Sequence, residues 1–597
     1  MNKNSLLTRG ISKSRNASNR GANGDLHSNR SGNISSDRLN EIFAAVGQKL
    51  RDGLSSEAEN ILTDTIEGYR HTADDLAGLK RLLAFTLETV GRYKESLDVV
   101  KPFEDEEVLK RLNIETQVRV MTQLAISYNN LGDHPKAVTL LKETLQKAKE
   151  NDITHLSGSI DSGLARVYRK LNECAICRDY AEKSLNYFRE NGNWLGMAEA
   201  YREIALSYHQ EGNSEKSLEY FELGIKIIGD RSAPFMLGKF YSDMSGAYWF
   251  LRRPQDGIAC LEKSIAFFDR TEHVLNSVIA YNNLGINLML IGEWTKAEEM
   301  IKRSLDIAVK AKHVHVAGIL ESLGELKILR GDLTEAEDLL TQAVAIACDR
   351  KREWYQVQAM RNLARCYLAQ GKFGEAAEKA RETIDLCHKI GDKHYVNMAG
   401  LVLAESYLNE GGLDECENYL KVIEDNDPGA DFFVLGNIQR IRGLASIENG
   451  DKQLAVHHFN RSLTIFETAE DLYHTALAHY LIGGNFAGPQ ASRAVKHLTT
   501  AGEIFKKLGI KSFVDSISEK IEKLKDPDIV RQTAGEARRT NSVVSQLLMV
   551  RLAEATASRE LLFRELIAVL QQESKAKKII LAEPDENKKL QAFITHG

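Results

Sequence analysis

The stretch LAISYNNLGDHPKAVTLLKETL, residues 124–145, contains the pattern that decides the fold. Within it, Ala125, Tyr128, Gly132 and Ala137 are separated by three, four and five residues. This spacing predicts a helical hairpin. A small residue on each helix lets the two backbones approach closely, and the tyrosine fills the space beside the first small residue. Glycine can adopt the left-handed conformation that ends the first helix.

The same pattern returns about every forty residues along most of the chain. A small residue stands five residues after each turn position, and from Gly91 to Gly450 a second one stands seven residues before it. Because one hairpin cannot bury its apolar face alone, neighbouring hairpins must stack into a continuous array. The turn positions are Gly53, Gly91, Gly132, Asn172, Gly212, Arg252, Gly292, Gly331, Gly371, Gly411 and Gly450, with a last one near Pro489.

These residues resemble the tetratricopeptide repeat, whose pattern has a small residue, a tyrosine, a glycine and an alanine at the same intervals. The resemblance covers roughly residues 38–510, about twelve units, and implies an all-α, right-handed superhelical solenoid. Two features depart from the family pattern. The period is about forty residues instead of about thirty-four, which predicts longer helices or longer turns, and the proline that commonly closes a repeat is absent. Both features are similar to the long-repeat arrays of bacterial regulators.

The resemblance implies that the first helix of each hairpin lines a concave groove where peptides or partner proteins bind. By register, the side chains ten, six and three residues before each turn position face this groove. They include Thr122, Glu321, Glu325, Glu405 and Arg440. Arginine and tryptophan are enriched at binding hot spots. The alternative is that these charges are simply solvated. The candidate partner-binding residues are Asn129, Arg166, Arg169, Arg202, His209, Trp249, Asn282, Arg361 and Arg365.

The sequence contains none of the short motifs that often mark an enzyme, such as a phosphate-binding G-x-x-x-x-G-K loop, a G-x-S-x-G turn or an H-E-x-x-H zinc motif. We therefore predict a protein that is not an enzyme, with no cofactor, no metal site and no small-molecule substrate. Cys174 and Cys177 form a C-x-x-C pair, but Cys177 occupies the small-residue position of its repeat. Since no second such pair completes a zinc site, a structural role is favoured.

Composition predicts a cytoplasmic location. The seven cysteines are dispersed, as is typical of reduced thiols, and no apolar stretch is long enough to cross a bilayer. The first residues contain no apolar core of the kind that a secretory signal needs. Basic residues dominate only in residues 1–35, so we expect no direct nucleic-acid binding by the repeats.

Four segments are predicted. Residues 1–35 form a disordered basic leader, residues 36–522 the solenoid, residues 523–540 a polar linker, and residues 541–597 an amphipathic helix followed by a β-hairpin. The last segment resembles the opening of a GAF-type sensory domain. In bacterial enhancer-binding transcription regulators, such a domain follows tetratricopeptide arrays and precedes an ATPase and a DNA-binding module. Neither module is in this sequence, which predicts a truncated or split regulator.

Two functions follow from these expectations. The first is a protein–protein interaction scaffold that serves as the sensory or regulatory arm of a bacterial signalling or transcription-control system, with a protein or peptide bound in the groove. The alternative is a stand-alone structural adaptor that forms a homodimer through its C-terminal helix.

Overall fold

The structure is a computed structural model that describes residues 32, 34–251, 253–311, 313, 315–426, 431–485, 491–525, 579–584 and 590–596. These residues form 26 α-helices, two short 3₁₀ helices and two β-strands. The chain divides into two compact units, which we call unit 1 (Met1–Gly196) and unit 2 (Met197–Gly597).

Unit 1 consists of helices and two 3₁₀ turns, Lys101–Glu104 and Thr154–Leu156. Its helices are α1 (Ser36–Asp52), α2 (Ser55–Gly68), α3 (Ala73–Thr89), α4 (Tyr93–Val100), α5 (Glu106–Leu109), α6 (Ile114–Asn130), α7 (His134–Glu150), α8 (Ser157–Lys170) and α9 (Cys174–Glu190).

Unit 2 consists of the remaining helices, the first of which crosses the unit boundary. Its helices are α10 (Trp194–Gln210), α11 (Ser214–Ile228), α12 (Pro234–Phe250), α13 (Pro254–Phe268), α14 (Val274–Leu290), α15 (Trp294–Lys310), α16 (Val316–Arg330), α17 (Leu333–Asp349), α18 (Glu353–Ala369), α19 (Phe373–Ile390), α20 (Lys393–Asn409), α21 (Leu413–Asp425), α22 (Phe432–Glu448), α23 (Lys452–Thr468), α24 (Leu472–Asn485), α25 (Ala491–Leu508) and α26 (Lys511–Lys525).

The turns inside the hairpins have the conformation that the sequence predicts. Gly132 has a φ of 93° and Asn172 a φ of 62°, in the left-handed region that glycine and asparagine tolerate best. The other predicted turn glycines also have positive φ, whereas Arg252 and Pro489 lie outside the described residues. A second row of positive-φ residues follows twenty positions later, at Asp152, Gly192, Lys351, Gly391 and Glu470.

This second row explains the forty-residue period. Helices α6, α7 and α9 are each 17 residues long, and the turns between paired helices contain about three residues. Two such helices and two such turns fill one repeat. The extra length relative to the common tetratricopeptide unit is therefore in the helices, each of which gains most of a turn.

The small residues predicted at the helix crossings are buried. Ala137, Cys177 and Ala205 are fully enclosed, and a Cβ atom added to Gly443 would lie 2.4 Å from Cε1 of Phe459. A side chain there would force the two helices apart. The sequence patterns therefore mark true close approaches between helices.

A row of serines joins the two helices of several hairpins. Each serine of the second helix donates its hydroxyl to a carbonyl of the first helix, 26 residues earlier, at 2.7–2.9 Å. Because these hydroxyls are buried, the hydrogen bonds fix the rotation of one helix against the other. The pairs are Ser184 with Gly158, Ser264 with Gly238, Ser304 with Val278, and Ser462 with Gly436.

Unit 2 contains a closure contact between repeats far apart in sequence. Trp294, at the start of α15, is 2% exposed and packs against Tyr473 with ring centroids 6.1 Å apart. Beside it, a Cβ atom on Gly292 would lie 2.9 Å from Leu508 and 3.1 Å from Leu472. Unit 2 therefore bends so that α24 and α25 meet the turn before α15. Trp294, Tyr473 and Leu508 belong to one hydrophobic cluster.

At the C-terminus, the strands β1 (Ile579–Pro584) and β2 (Leu590–His596) pair antiparallel. The predicted leader up to residue 31, the predicted linker from residue 526 on and the predicted helix of residues 541–573 lie outside the described residues. Residues 523–525, predicted as the start of the linker, belong instead to α26. The sensory-domain interpretation of the C-terminus thus stays a prediction. No helix in the described part of the chain is long and apolar enough to span a membrane.

Candidate binding face of the first helices

The side chains ten, six and three residues before each turn position form what we call the register face. It lies on α1, α3, α6 and α8 in unit 1, and on α10 and every second helix up to α24 in unit 2. The structure places polar or charged side chains on this face in most repeats, but their surroundings differ between the two units.

In unit 1, Glu88 of α3 is enclosed by donors. Ser96, Gln123 and Ser127 donate hydrogen bonds to its Oε1 at 3.0, 2.8 and 2.7 Å. Burial raises the pKa of this carboxyl, against these hydrogen bonds and the charge of Arg166, which lower it. The Oε1 atom of Glu88 therefore links α3 to α4 and α6.

Three of the predicted binding residues belong to unit 1. Arg166 and Arg169 lie half-buried on α8, six and three residues before Asn172. Asn129 is buried, and its Oδ1 is 2.8 Å from Nδ1 of His134. Arg166 and Arg169 are therefore partly exposed to solvent, and the Asn129 side chain contacts His134 of its own repeat.

Arg81 is a register-face residue that the sequence analysis did not single out. It stands on α3, ten residues before Gly91, and its Nε atom is shut off from solvent without a hydrogen-bond partner. The signal was available in the sequence. The register position is the same as that of Arg202 and Arg361, and the next repeat has Thr122, not a carboxylate, at that position.

Four predicted residues lie in the first repeats of unit 2. Nε of Arg202 donates to Asp243 at 2.6 Å, and Nδ2 of Asn282 donates to Ser322 at 3.3 Å. His209 packs edge-on against the exposed ring of Phe250, with centroids 5.1 Å apart. Burial lowers the pKa of His209. Trp249 is half-buried.

Further along unit 2, the register face is an internal network of ions. Arg365 donates to Glu325 at 2.5 Å, and Nη1 of Arg361 lies 3.8 Å from the same carboxylate. Asn362 donates to Glu321. Arg361 is 5% exposed. The predicted binding residues Arg361 and Arg365 are thus engaged with the chain's own acids.

The two acids of this network have opposite pKa shifts. Burial, followed by the negative charge of Glu325, raises the pKa of Glu321 to about 7. Burial alone would also raise the pKa of Glu325, but the charges of Arg365 and Arg361 outweigh it and hold this pKa below its usual value. Glu325 is therefore the acid that stays ionised beside the two arginines.

A second buried pair follows in the next repeats. Arg440 of α22 donates two hydrogen bonds to Glu405 of α20, at 2.7 and 2.5 Å. This two-point geometry is the strongest form of an arginine–carboxylate pair. On the register face of these repeats, ion pairs therefore join neighbouring first helices.

The described residues contain no group of three or more His, Cys, Asp or Glu side chains that could hold a metal ion. All seven cysteines are free, and Cys174 and Cys177 are both buried. Burial raises the pKa of Cys366 to about 11 and of Cys416 to about 12, so these thiols stay protonated at neutral pH.

Three sequence profiles of repeat families match the chain. The MalT-like TPR region matches residues 268–458. Two tetratricopeptide repeat profiles match residues 156–228 and residues 118–150. A segment of 109 residues is 28% identical to response regulator aspartate phosphatase E of Bacillus subtilis (strain 168), covering 18% of this chain and 29% of that protein. The match thus spans less than a third of the relative's length.

Two solved structures are similar to this chain at low levels. A Rap protein complexed with Competence and Sporulation Factor has a TM-score of 0.45 at 16% identity, covering 60% of this chain and 99% of that one. The apo form of the quorum sensor NprR from B. thuringiensis has a TM-score of 0.44 at 17% identity, covering 58% and 97%. The tetratricopeptide assignment therefore rests on the sequence profiles.

Proposed function

We propose that this chain is a protein-binding regulatory scaffold of bacterial signalling that receives a protein or peptide on the register face of its first helices. The observation that carries the proposal is the match of tetratricopeptide profiles to residues 118–150, 156–228 and 268–458. Repeat arrays of this kind present extended concave surfaces to their partners. The partial likeness to a Bacillus response regulator phosphatase supports placement in bacterial signalling.

Within unit 1, the proposed contacts are Arg166 and Arg169, which lie half-buried on α8 inside one of the matched segments. Within unit 2, Arg202, His209 and Trp249 are the proposed contacts, again each half-buried on the first helix of a repeat. Half-buried arginine and tryptophan suit a protein interface, because they bury apolar stems and rings while donating hydrogen bonds.

We further propose that the chain acts without catalysing a reaction. The enzyme name of the Bacillus relative belongs to a protein that this chain matches over a short segment only. Buried, protonated thiols and the lack of a metal-binding group among the described residues support a scaffold. Hydrolysis of a phosphorylated response regulator by the purified chain would contradict this part of the proposal.

The finer proposal for the C-terminus is a sensory domain that follows the helix 541–573 and begins with the strand pair β1 and β2. The antiparallel pairing of residues 579–584 with residues 590–596 supports it. The free cysteines support a cytoplasmic location. Homodimerisation through the helix 541–573 is the competing proposal, and the mass of the purified chain in solution distinguishes the two.

Site-specific photo-crosslinking tests the main proposal. A photoreactive amino acid is placed at Arg169 on the register face or, as a control, at Arg189, an exposed residue of the outer helix α9. We expect a partner from the source organism to crosslink from position 169 and not from position 189. Its purified form should bind the Arg166→Glu, Arg169→Glu variant at least tenfold more weakly, about 1.4 kcal/mol.

Equal crosslinking from both positions, or an unchanged affinity of the double variant, would overturn the assignment of the binding face. The circular dichroism of the double variant serves as the folding control. The two affinities are compared only if the helical content of the double variant equals that of the parent.

A further inference from the structure

A pair of stacked tyrosines recurs in three of the repeats. One tyrosine stands on the first helix, four residues before the turn position, and the other stands on the second helix, eight residues after it. The two ring centroids are 5.7, 5.5 and 5.7 Å apart in the three repeats. Each ring therefore covers one face of its partner. The pairs are Tyr168 with Tyr180, Tyr208 with Tyr220, and Tyr407 with Tyr419.

The hairpin of α12 and α13 has the first ring of this pair without the second. Tyr248 stands four residues before its turn position, but Cys260 stands eight residues after it. Cysteine is the smallest residue at this place in any repeat of the chain. Tyr248 therefore lacks the stacking partner that a tyrosine at position 260 would supply.

An open pocket of about 410 Å³ lies beside these two residues. Its floor is formed by Tyr241, Met244 and Tyr248 of α12, and Cys260 borders it from α13. Met244 is 5% exposed and Cys260 is 7% exposed, so the bottom of the pocket is screened from solvent. Burial raises the pKa of the Cys260 thiol to about 11, which leaves it uncharged at neutral pH. The pocket can therefore take an apolar ring.

The pocket is separate from the register face. Its floor residues stand eleven, eight and four residues before the turn position, whereas the register face has the residues ten, six and three before it. The opening is bordered by exposed charges of both signs, among them Glu222 and Lys226 of α11 and Lys263 of α13. A polar border around a sheltered apolar floor is typical of a site that holds one anchoring side chain.

Lys263 corresponds to a cation that covers the second ring of a tyrosine pair. In the hairpin of α8 and α9, Nζ of Lys183 lies 4.8 Å from the ring centroid of Tyr180. Lys263 stands at the same register position, eleven residues after its turn, and its Nζ lies 5.2 Å from the ring centroid of Tyr241. A ring beside Cys260 therefore meets an ammonium group as well as an aromatic face.

We propose that this pocket, which we call the aromatic socket, takes the phenol ring of a tyrosine side chain from a protein partner. The ring stacks on Tyr248 in the place that Tyr180, Tyr220 and Tyr419 fill in their own repeats, and its hydroxyl reaches the charged border. This inference rests on the proposed function and adds a second contact surface to it. The volume of the pocket is within the range of about 300–1,000 Å³ that is usual for ligand sites.

The first test uses the full chain and p-cresol, which is the side chain of tyrosine as a free molecule. The comparison molecule is 4-methylcyclohexanol, which has the same connectivity but no flat ring, and ligand-observed NMR titrations measure both affinities. We expect the parent to bind p-cresol at least fivefold more tightly than 4-methylcyclohexanol. Equal binding of the two molecules would overturn the assignment to an aromatic ring.

The decisive variant is Cys260→Tyr, because it supplies the missing ring from within the chain. It should bind p-cresol at least fivefold more weakly than the parent. The matched control is Cys348→Tyr, the same change at an exposed cysteine of α17, which should bind p-cresol like the parent. Equal affinity of the parent and Cys260→Tyr for p-cresol would overturn the socket.

Thermal melting checks that the variants are folded. Because Cys260→Tyr fills existing space, it should melt at or above the temperature of the parent. Melting well below the parent would mean that the space does not hold a ring, which would overturn the socket. Cys260→Leu, with the residue that stands at this position as Leu140, is an independent second variant. It should melt like the parent and weaken p-cresol binding severalfold, and unchanged binding would count against the socket.

A peptide arm tests whether the ring comes from a protein. A capped pentapeptide with one tyrosine between two glycines on each side should displace p-cresol from the parent, and the same peptide with leucine should not. Binding of p-cresol without binding of the tyrosine peptide would overturn the assignment to a protein side chain. None of these measurements needs a natural partner, so they fail separately from the crosslinking test. A socket that binds the tyrosine peptide in a chain that captures no partner would contradict the proposed function alone.

Discussion

Arginines at one register position lead to different structures in the two units. Arg81 on α3 and Arg361 on α18 both stand ten residues before a turn glycine. In unit 2, Glu321 and Glu325 of the preceding first helix lie beside Arg361 and hold it inside the unit. In unit 1, Arg81 is half-buried, and no carboxylate among the described residues forms an ion pair with it. An arginine at this register position is therefore either held in an ion network or left partly exposed, depending on whether the neighbouring repeat supplies a carboxylate.

The largest expected effect on stability comes from removing the acid of unit 2 that pairs with Arg361 and Arg365. Glu325→Gln leaves Arg361 and Arg365 buried without their main counter-charge. We expect a loss of about 3–5 kcal/mol in the free energy of unfolding of this region, since half of a buried ion pair is left uncompensated. Urea unfolding followed by circular dichroism measures the loss, and hydrogen exchange in α16 and α18 locates it.

The matched control is Glu378→Gln on α19, where the carboxylate is exposed. This variant should change the free energy of unfolding by less than about 0.5 kcal/mol. Equal losses in the two variants would mean that the Glu325 pair contributes no more than a surface charge.

The next prediction concerns pH. With a pKa of about 7, Glu321 holds a proton in the folded chain that the unfolded chain releases near its ordinary value of 4.5. Because the folded state binds more protons in this interval, the stability of unit 2 should fall as the pH rises from about 4.5 to about 7, by on the order of 1–3 kcal/mol. Glu325, whose pKa is lowered, titrates below this window.

Urea midpoints at pH 5.5 and pH 7.5 measure this dependence. The Glu321→Gln variant cannot ionise at this position, so its midpoint should change less between the two pH values than that of the parent. The contrary result would be a parent that becomes more stable as the pH rises over this interval, with the rise absent in Glu321→Gln. It would mean that folding lowers the pKa of Glu321.

The smallest expected effect on stability belongs to an exposed ion pair of unit 1. Glu115→Gln removes an exposed ion pair four residues from Arg119 and should change stability by less than about 0.5 kcal/mol. Urea unfolding of this variant beside the parent measures the difference. A loss as large as that of Glu325→Gln would mean that this exposed pair contributes as much as the ion network of unit 2.

The repeat architecture could be predicted in detail because its determinants are local. Gly132 and Asn172 mark the turns, and Ala137 and Cys177 mark the crossings, all through the conformational and steric needs of a single hairpin. The forty-residue period could come from longer helices or from longer turns than in the common tetratricopeptide repeat, because both add residues between successive turn glycines. The 17-residue helices decide that question.

The interactions of the register face could not be predicted from the position of each residue within its repeat alone. Because Arg361 stands ten residues before a turn, the sequence predicts which helix face it occupies. The sequence does not predict that Glu325 of the preceding repeat lies 3.8 Å from its guanidinium group. That distance depends on how far each repeat rotates against the next, which is a sum of many small packing choices. For the same reason, the meeting of Trp294 with Tyr473 has no signature in the sequence around either residue.

The closure contact of unit 2 has a consequence for the order in which the chain folds. A stacked array normally folds from any point outward, because each repeat needs only its neighbours. Here Gly292 packs against Leu472, which is roughly 180 residues further along the chain. Bringing such distant segments together costs chain entropy before any contact between them forms. During synthesis, Trp294 leaves the ribosome long before the residues that cover it. The middle of unit 2 therefore completes its packing only after α24 and α25 have been made, and its repeats gain a cooperativity that an open array lacks.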